Sequence, residues 1–128
     1  MTRRALLILV MLSATPFTAA HAQTPPTAQI EIDYLLQYVE ISGCSFYRNG
    51  SWYDGSHAKA HLRTKYDYLA ARNLIGSAED FIDKAATKSS MSGKPYKIRC
   101  GTGEEVESGQ WFHQVLVQYR AGPKSLSD

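Results

Sequence analysis

The chain has 128 residues and a formal net charge of +2, a length that suits one domain with a buried core. With 14 basic against 12 acidic residues there is no basic excess of the kind a phosphate backbone requires, so nucleic acid is not an expected partner.

At the N-terminus, Arg3 and Arg4 precede an apolar run from Ala5 to Leu12, and Ala20-His21-Ala22 puts small residues before Gln23. This is the layout of a secretory signal peptide over residues 1–22. The apolar run falls short of the roughly 20 residues that span a bilayer. No transmembrane segment is therefore expected in the mature chain. Cleavage near Ala22 takes the basic count from 14 to 12, so the mature chain becomes formally neutral. Cys44 and Cys100 allow a single pairing, and export favours a disulfide. A loop of that size stabilises a fold by about 4 kcal/mol on the chain-entropy model.

Residues 23–29 read as a tether, with Pro25-Pro26 against regular structure and Thr27 as a helix cap. Residues 30–42 read as a helix that is apolar on most sides, with a polar strip at Asp33, Gln37 and Glu40 and Gly43 as its stop. Such a helix is expected at the centre of the fold or against a second subunit. Residues 44–48 and 51–54 form a hairpin about Asn49-Gly50. A second helix covers residues 57–72, capped by Ser56. Its apolar face is Ala58, Leu62, Tyr66 and Leu69, with Lys65 near the middle and His61 on a margin. A cation there must snorkel, pair with a carboxylate or line a pocket.

Ser77 and Asp80 open a third helix that runs to about Lys88. The polar loop of residues 89–94 follows, then a strand over residues 96–100 with Tyr96, Ile98 and Cys100 on one face. Val106 belongs to a short return strand. Ser108 caps a last helix over residues 109–120, with Trp111, Phe112, Val115, Leu116 and Tyr119 as its stripe. Residues 122–128 are a tail. The order α-ββ-α-α-ββ-α predicts an α+β domain over residues 30–121, a small antiparallel sheet packed by four helices.

Phe46-Tyr47-Arg48-Asn49-Gly50 with Tyr53, Ala60-His61-Leu62-Arg63 with Lys65-Tyr66, Ala78-Glu79-Asp80-Phe81-Ile82, and Ser89 to Tyr96 with Ile98-Arg99 occur in that order. On these residues the chain resembles a family of small exported bacterial proteins labelled only as domain of unknown function DUF5329. The likeness covers nearly all of the mature chain. It implies a bacterial envelope location and brings no activity, cofactor or catalytic residue.

Several constellations bear on chemistry. Ser90, Ser92 and Lys94 in the polar loop offer hydroxyls, backbone donors and a cation to an anion. The loop lacks the glycine spacing of a phosphate loop, and its serines equally suit turn backbone groups. His57 and His61 are four apart on one helix but have no intervening glutamate, and neighbouring lysines repel a cation, so neither metal nor cofactor is expected.

Three functions follow as expectations. The first is a non-enzymatic periplasmic or secreted protein that binds a small anionic ligand or an envelope partner. Its patch would be Arg48, His61, Lys65, Ser90, Ser92 and Lys94. The second is an envelope hydrolase with His61 as general base. The third is a structural protein that oligomerises through the first helix.

Overall fold

The computed structural model describes residues 11–16 and 23–122. Most of the expected leader, and the tail from residue 123, lie outside the described residues. Helix α1 (Pro26–Ile41) leads into a hairpin of β1 (Ser45–Arg48) and β2 (Ser51–Tyr53), then α2 (Gly55–Ala70). A short α3 (Ala78–Phe81) continues as a π-helical turn (Ile82–Ala86). Strands β3 (Lys97–Arg99) and β4 (Val106–Glu107) follow, and α4 (Ser108–Ala121) closes the domain. The strands form one antiparallel sheet in the order β2-β1-β3-β4, so the fold is the expected α+β. Among the described residues, no helix is long and apolar enough to cross a membrane.

Helix α1 starts four residues before the expected Ile30, because a proline fits the first helical turn, where its missing N–H costs nothing. The expected tether is correspondingly shorter. Thr24 is buried and its hydroxyl donates to the Ile75 carbonyl at 2.8 Å. Ala28, Ile32, Leu35, Leu36 and Val39 give α1 a buried stripe against α2, α3 and α4, while Ile30 and Ile41 stay exposed.

The hairpin is as the sequence predicts. Asn49 and Gly50 have φ of 48° and 90°, the doubly positive pair of a two-residue type I′ turn. Helix α2 begins two residues early, since the Asp54 carboxylate, not Ser56, accepts the His57 N–H. Gly55 permits this start. A Cβ there would sit 2.5 Å from the Val39 carbonyl oxygen, so only glycine lets α2 depart this close to the end of α1.

The third helix breaks into a π-turn instead of running as one α-helix to Lys88. The Thr87 hydroxyl donates to the Ile82 carbonyl and the buried Ser108 hydroxyl to the Ala86 carbonyl, satisfying carbonyls that the wide turn leaves over. Ser108 is thus engaged with the turn, and Glu107 occupies the N-cap of α4.

Strand β3 pairs with β1 so that Ser45 faces Arg99. That register sets Cys44 opposite Cys100, and the two form a disulfide with Cα atoms 4.2 Å apart. The same register assigns faces. Phe46 and Ile98 point inward and are buried, so Arg48, two residues beyond Phe46, lies on the same helix-facing side. Tyr96 shares the parity of Ile98 and is buried. Helix α2 brings its apolar face, with Lys65 in it, to this seam.

Candidate functional site

The seam between the sheet and α2 gathers Arg48, His61, Lys65 and Tyr96. Arg48 Nη1 donates to His61 Nδ1 at 2.7 Å, and the guanidinium lies 4.8 Å from the centroid of the Tyr53 ring. His61 Nε2 is 3.1 Å from the Tyr96 hydroxyl. Lys65 Nζ donates to that hydroxyl at 3.1 Å and to the Lys88 carbonyl at 3.0 Å.

An arginine only donates, so Nδ1 of His61 must accept. The imidazole is then neutral, with its proton on Nε2, and Nε2–H donates to Tyr96. The phenolic oxygen receives one hydrogen bond from His61 and one from Lys65. Every link in the chain points a donor at Tyr96, and the tyrosine's own proton is left to donate elsewhere.

Among the described residues, neither Arg48 nor Lys65 is in an ion pair with a carboxylate. The electrostatic strain shows in the ionisation of the cluster. Burial first, then the charges of Arg48 and Lys65, push the His61 imidazole down to about 4. Burial, with the Arg48 charge added, pushes the Lys65 amine down to about 8. Burial raises Tyr96, which stays a neutral phenol at physiological pH.

A cavity of about 90 Å³ opens at this seam. Phe46, Ala58 and Leu62 give it apolar walls and Tyr53 an aromatic one, while Arg48, His61 and Tyr96 supply the polar end. Apolar walls with a few convergent polar groups are the usual build of a small-ligand site.

The structure therefore joins three of the six expected site residues, Arg48, His61 and Lys65. The other three lie away from the cavity, on a loop whose hydroxyl network includes Ser92 and the Lys94 amide. Buried Ser89 accepts from the Met91 and Ser92 amides and from Asn49 Nδ2, the last at 3.1 Å. The Ser92 hydroxyl donates to Asn49 Oδ1 at 2.8 Å and accepts from the Lys94 amide. Ser90 and Lys94 are exposed, and neither side chain lines the cavity. The loop's hydroxyls serve its own turn and clamp it to the hairpin tip. His57 also lines the cavity, but it is exposed and its Nδ1 is bonded to the Asp54 carboxylate. Among the described residues there is no group of three or more side chains able to hold a metal.

Tyr96 is the site residue that sequence reasoning missed. The signal was present in its parity with Ile98, which turns it inward beside the inward-facing Arg48.

No solved structure matches the chain. It is similar to an uncharacterized protein, YfeK, of Salmonella typhimurium (strain LT2), with 37% identity over 89 residues, covering 70% of this chain and 68% of the relative. A family model described as a family of unknown function, DUF5329, matches residues 26–120, from the first turn of α1 to the last turn of α4. All of the seam residues lie within that span, and the chain belongs to this family.

Proposed function

We propose that this protein is a non-enzymatic binding protein for a small anionic ligand, working in the periplasm or outside the cell. One observation carries the reading. Arg48 lines an apolar-walled cavity, and Lys65 sits half-buried behind it, 3.1 Å from the hydroxyl of the cavity-lining Tyr96; among the described residues neither cation has a carboxylate to neutralise it. Desolvated cations raise the free energy of the fold unless something offsets them. An anion in the cavity would offset Arg48 directly and Lys65 at longer range. The leader-like N-terminus and the disulfide support the compartment.

The hydrolase alternative draws less support. Both ring nitrogens of His61 are engaged, one by an arginine and the other by a tyrosine. Among the described residues no serine hydroxyl bonds to His61 and no carboxylate orients it, and its low basicity makes it a poor base near neutral pH.

Calorimetric titration of the oxidised mature chain with acetate, benzoate, phosphate and sulfate tests the reading. At least one anion is expected to bind, with an affinity that falls as salt rises and that falls at least about tenfold in the Arg48→Met variant. Absence of heat for every anion, or equal affinity in that variant, removes it. Fractionation of cells expressing the full chain tests the compartment, and retention in the cytoplasm would contradict it.

A further inference from the structure

The donor geometry of the seam narrows the anion. Resting on the anion-binding reading, we infer that the cavity takes a monocarboxylate with a short aliphatic or aromatic body, its carboxylate on Arg48 and its body against Phe46, Ala58 and Leu62.

A guanidinium has five N–H donors in a fixed plane. In Arg48 the bond to His61 uses Nη1. Nε and Nη2 have no hydrogen-bond partner among the described residues. These two nitrogens share one edge of the guanidinium, and their parallel N–H bonds match the two oxygens of a carboxylate. The Tyr96 hydroxyl, whose oxygen accepts from His61 and Lys65, keeps its own proton to donate and adds a third donor at the same end of the cavity.

The remaining walls separate carboxylate from phosphate or sulfate. An oxoanion with three or four peripheral oxygens presents acceptors on every side. In this cavity some of them would meet Phe46, Ala58 and Leu62 and lose their hydration without replacement. A carboxylate confines its acceptors to one end and offers carbon to the rest. The Tyr53 ring, already under the guanidinium, continues the wall as a flat surface that suits an aromatic body. The other ionisable groups in the lining have partners of their own: His57 is bonded to Asp54, and Lys97 lies 3.9 Å from Glu105.

Size sets the other bound. A cavity of about 90 Å³ suits a small body such as that of isobutyrate or benzoate.

The test is calorimetric titration of the oxidised mature chain with benzoate, isobutyrate, benzyl alcohol, inorganic phosphate and sulfate. The better of the two carboxylates is expected to bind at least about tenfold more tightly than phosphate or sulfate. Benzyl alcohol, which keeps the ring without the charge, is expected to bind at least about tenfold more weakly than benzoate. Arg48→Lys keeps the charge and removes the fork, and is expected to weaken carboxylate binding about tenfold while leaving the thermal midpoint unchanged. Ala58→Leu fills the apolar wall and is expected to abolish benzoate binding without touching a cation. Should Ala58→Leu fail to fold, the Arg48→Lys variant decides alone. Phosphate binding as tightly as the carboxylates, or Arg48→Lys binding carboxylate like the unmodified chain, overturns this inference and leaves the anion-binding reading standing. No binding of any anion overturns both.

Discussion

Two arginines at the ends of different elements are treated in opposite ways. Arg120, in the last turn of α4, forks onto Glu31 of α1 at 2.6 and 3.0 Å and also bonds Glu79 of α3. Glu31 is 8% exposed, and the pair ties the first, third and last helices together. The two carboxylates raise the already high pKa of Arg120, and its bond holds Glu79 below the usual carboxylate range. Arg48 is comparably placed, at the edge of the core and facing helices, yet its partners are a neutral histidine and an aromatic ring. One arginine completes the fold. The other is left without a carboxylate among the described residues, and this difference is what the proposed ligand site at the seam rests on.

Arg120→Met should separate the two arginines most sharply. It leaves Glu31 buried without a partner. A fully buried broken pair costs about 3–5 kcal/mol, and the exposure of Arg120 reduces that to about 2 kcal/mol. Urea unfolding should show a lowered midpoint with an unchanged slope. Arg48→Met should change stability by less than about 1 kcal/mol in either direction, because a repulsive, desolvated cation is lost together with its hydrogen bonds. If Arg48→Met costs as much as Arg120→Met, Arg48 is a structural residue and the contrast fails.

The pH dependence probes the seam alone. The folded protein holds His61 near 4, whereas an unfolded chain takes up that proton near 6.5. Stability linked to this group is therefore complete above pH 6.5 and is lost as pH falls toward 4. His61→Gln should flatten the stability profile between those values, and a saturating carboxylate should flatten it too by raising the His61 pKa. Lys65 runs in the same direction at higher pH. Stability rises as pH goes from about 8 to 10.5, where the folded chain has already released a proton that the unfolded chain still holds. A profile identical in the His61→Gln variant would mean that His61 is not desolvated.

The scaffold around this site was legible in the sequence where local rules act alone. Asn49-Gly50 specified the hairpin, and strand parity placed Phe46 and Ile98 inward. The same parity carried Arg48 inward, and helical periodicity carried Lys65 to the apolar face of α2. Both were chosen on chemistry, but the periodicities are what bring them together. The polar loop was ambiguous for a physical reason. Hydroxyls beside glycine and lysine serve an anion or a turn equally well in one dimension, and the contacts of Asn49 with Ser89 and Ser92 appear only in the fold. Helix starts were displaced because Pro26 and Asp54 are competent first-turn and cap residues upstream of Thr27 and Ser56. The π-turn was not read from the sequence, since its leftover carbonyls are met by Thr87 just beyond it and by Ser108, 22 residues past Ala86.

The smallest expected effect tests the cluster's internal coupling. Lys65 and Arg48 both depress His61, after burial, so removing one charge should release only part of the shift. In Lys65→Met the His61 pKa, followed by the imidazole resonances in NMR, should rise above 4 and remain below 6.5, because the Arg48 charge and most of the burial persist. The Tyr96 hydroxyl would lose one donor and keep the other, so the His61 tautomer should stay the same, with Nε2 protonated. Stability near neutral pH should change little, since Lys65→Met removes a desolvated ammonium along with its bonds to Tyr96 and Lys88. Unaltered titration of His61 would show that Lys65 does not share the field of the Arg48–His61 pair. The anion site would then reduce to Arg48 and Tyr96 alone, whereas a rise that a bound carboxylate extends further would place both cations in the field of one ligand.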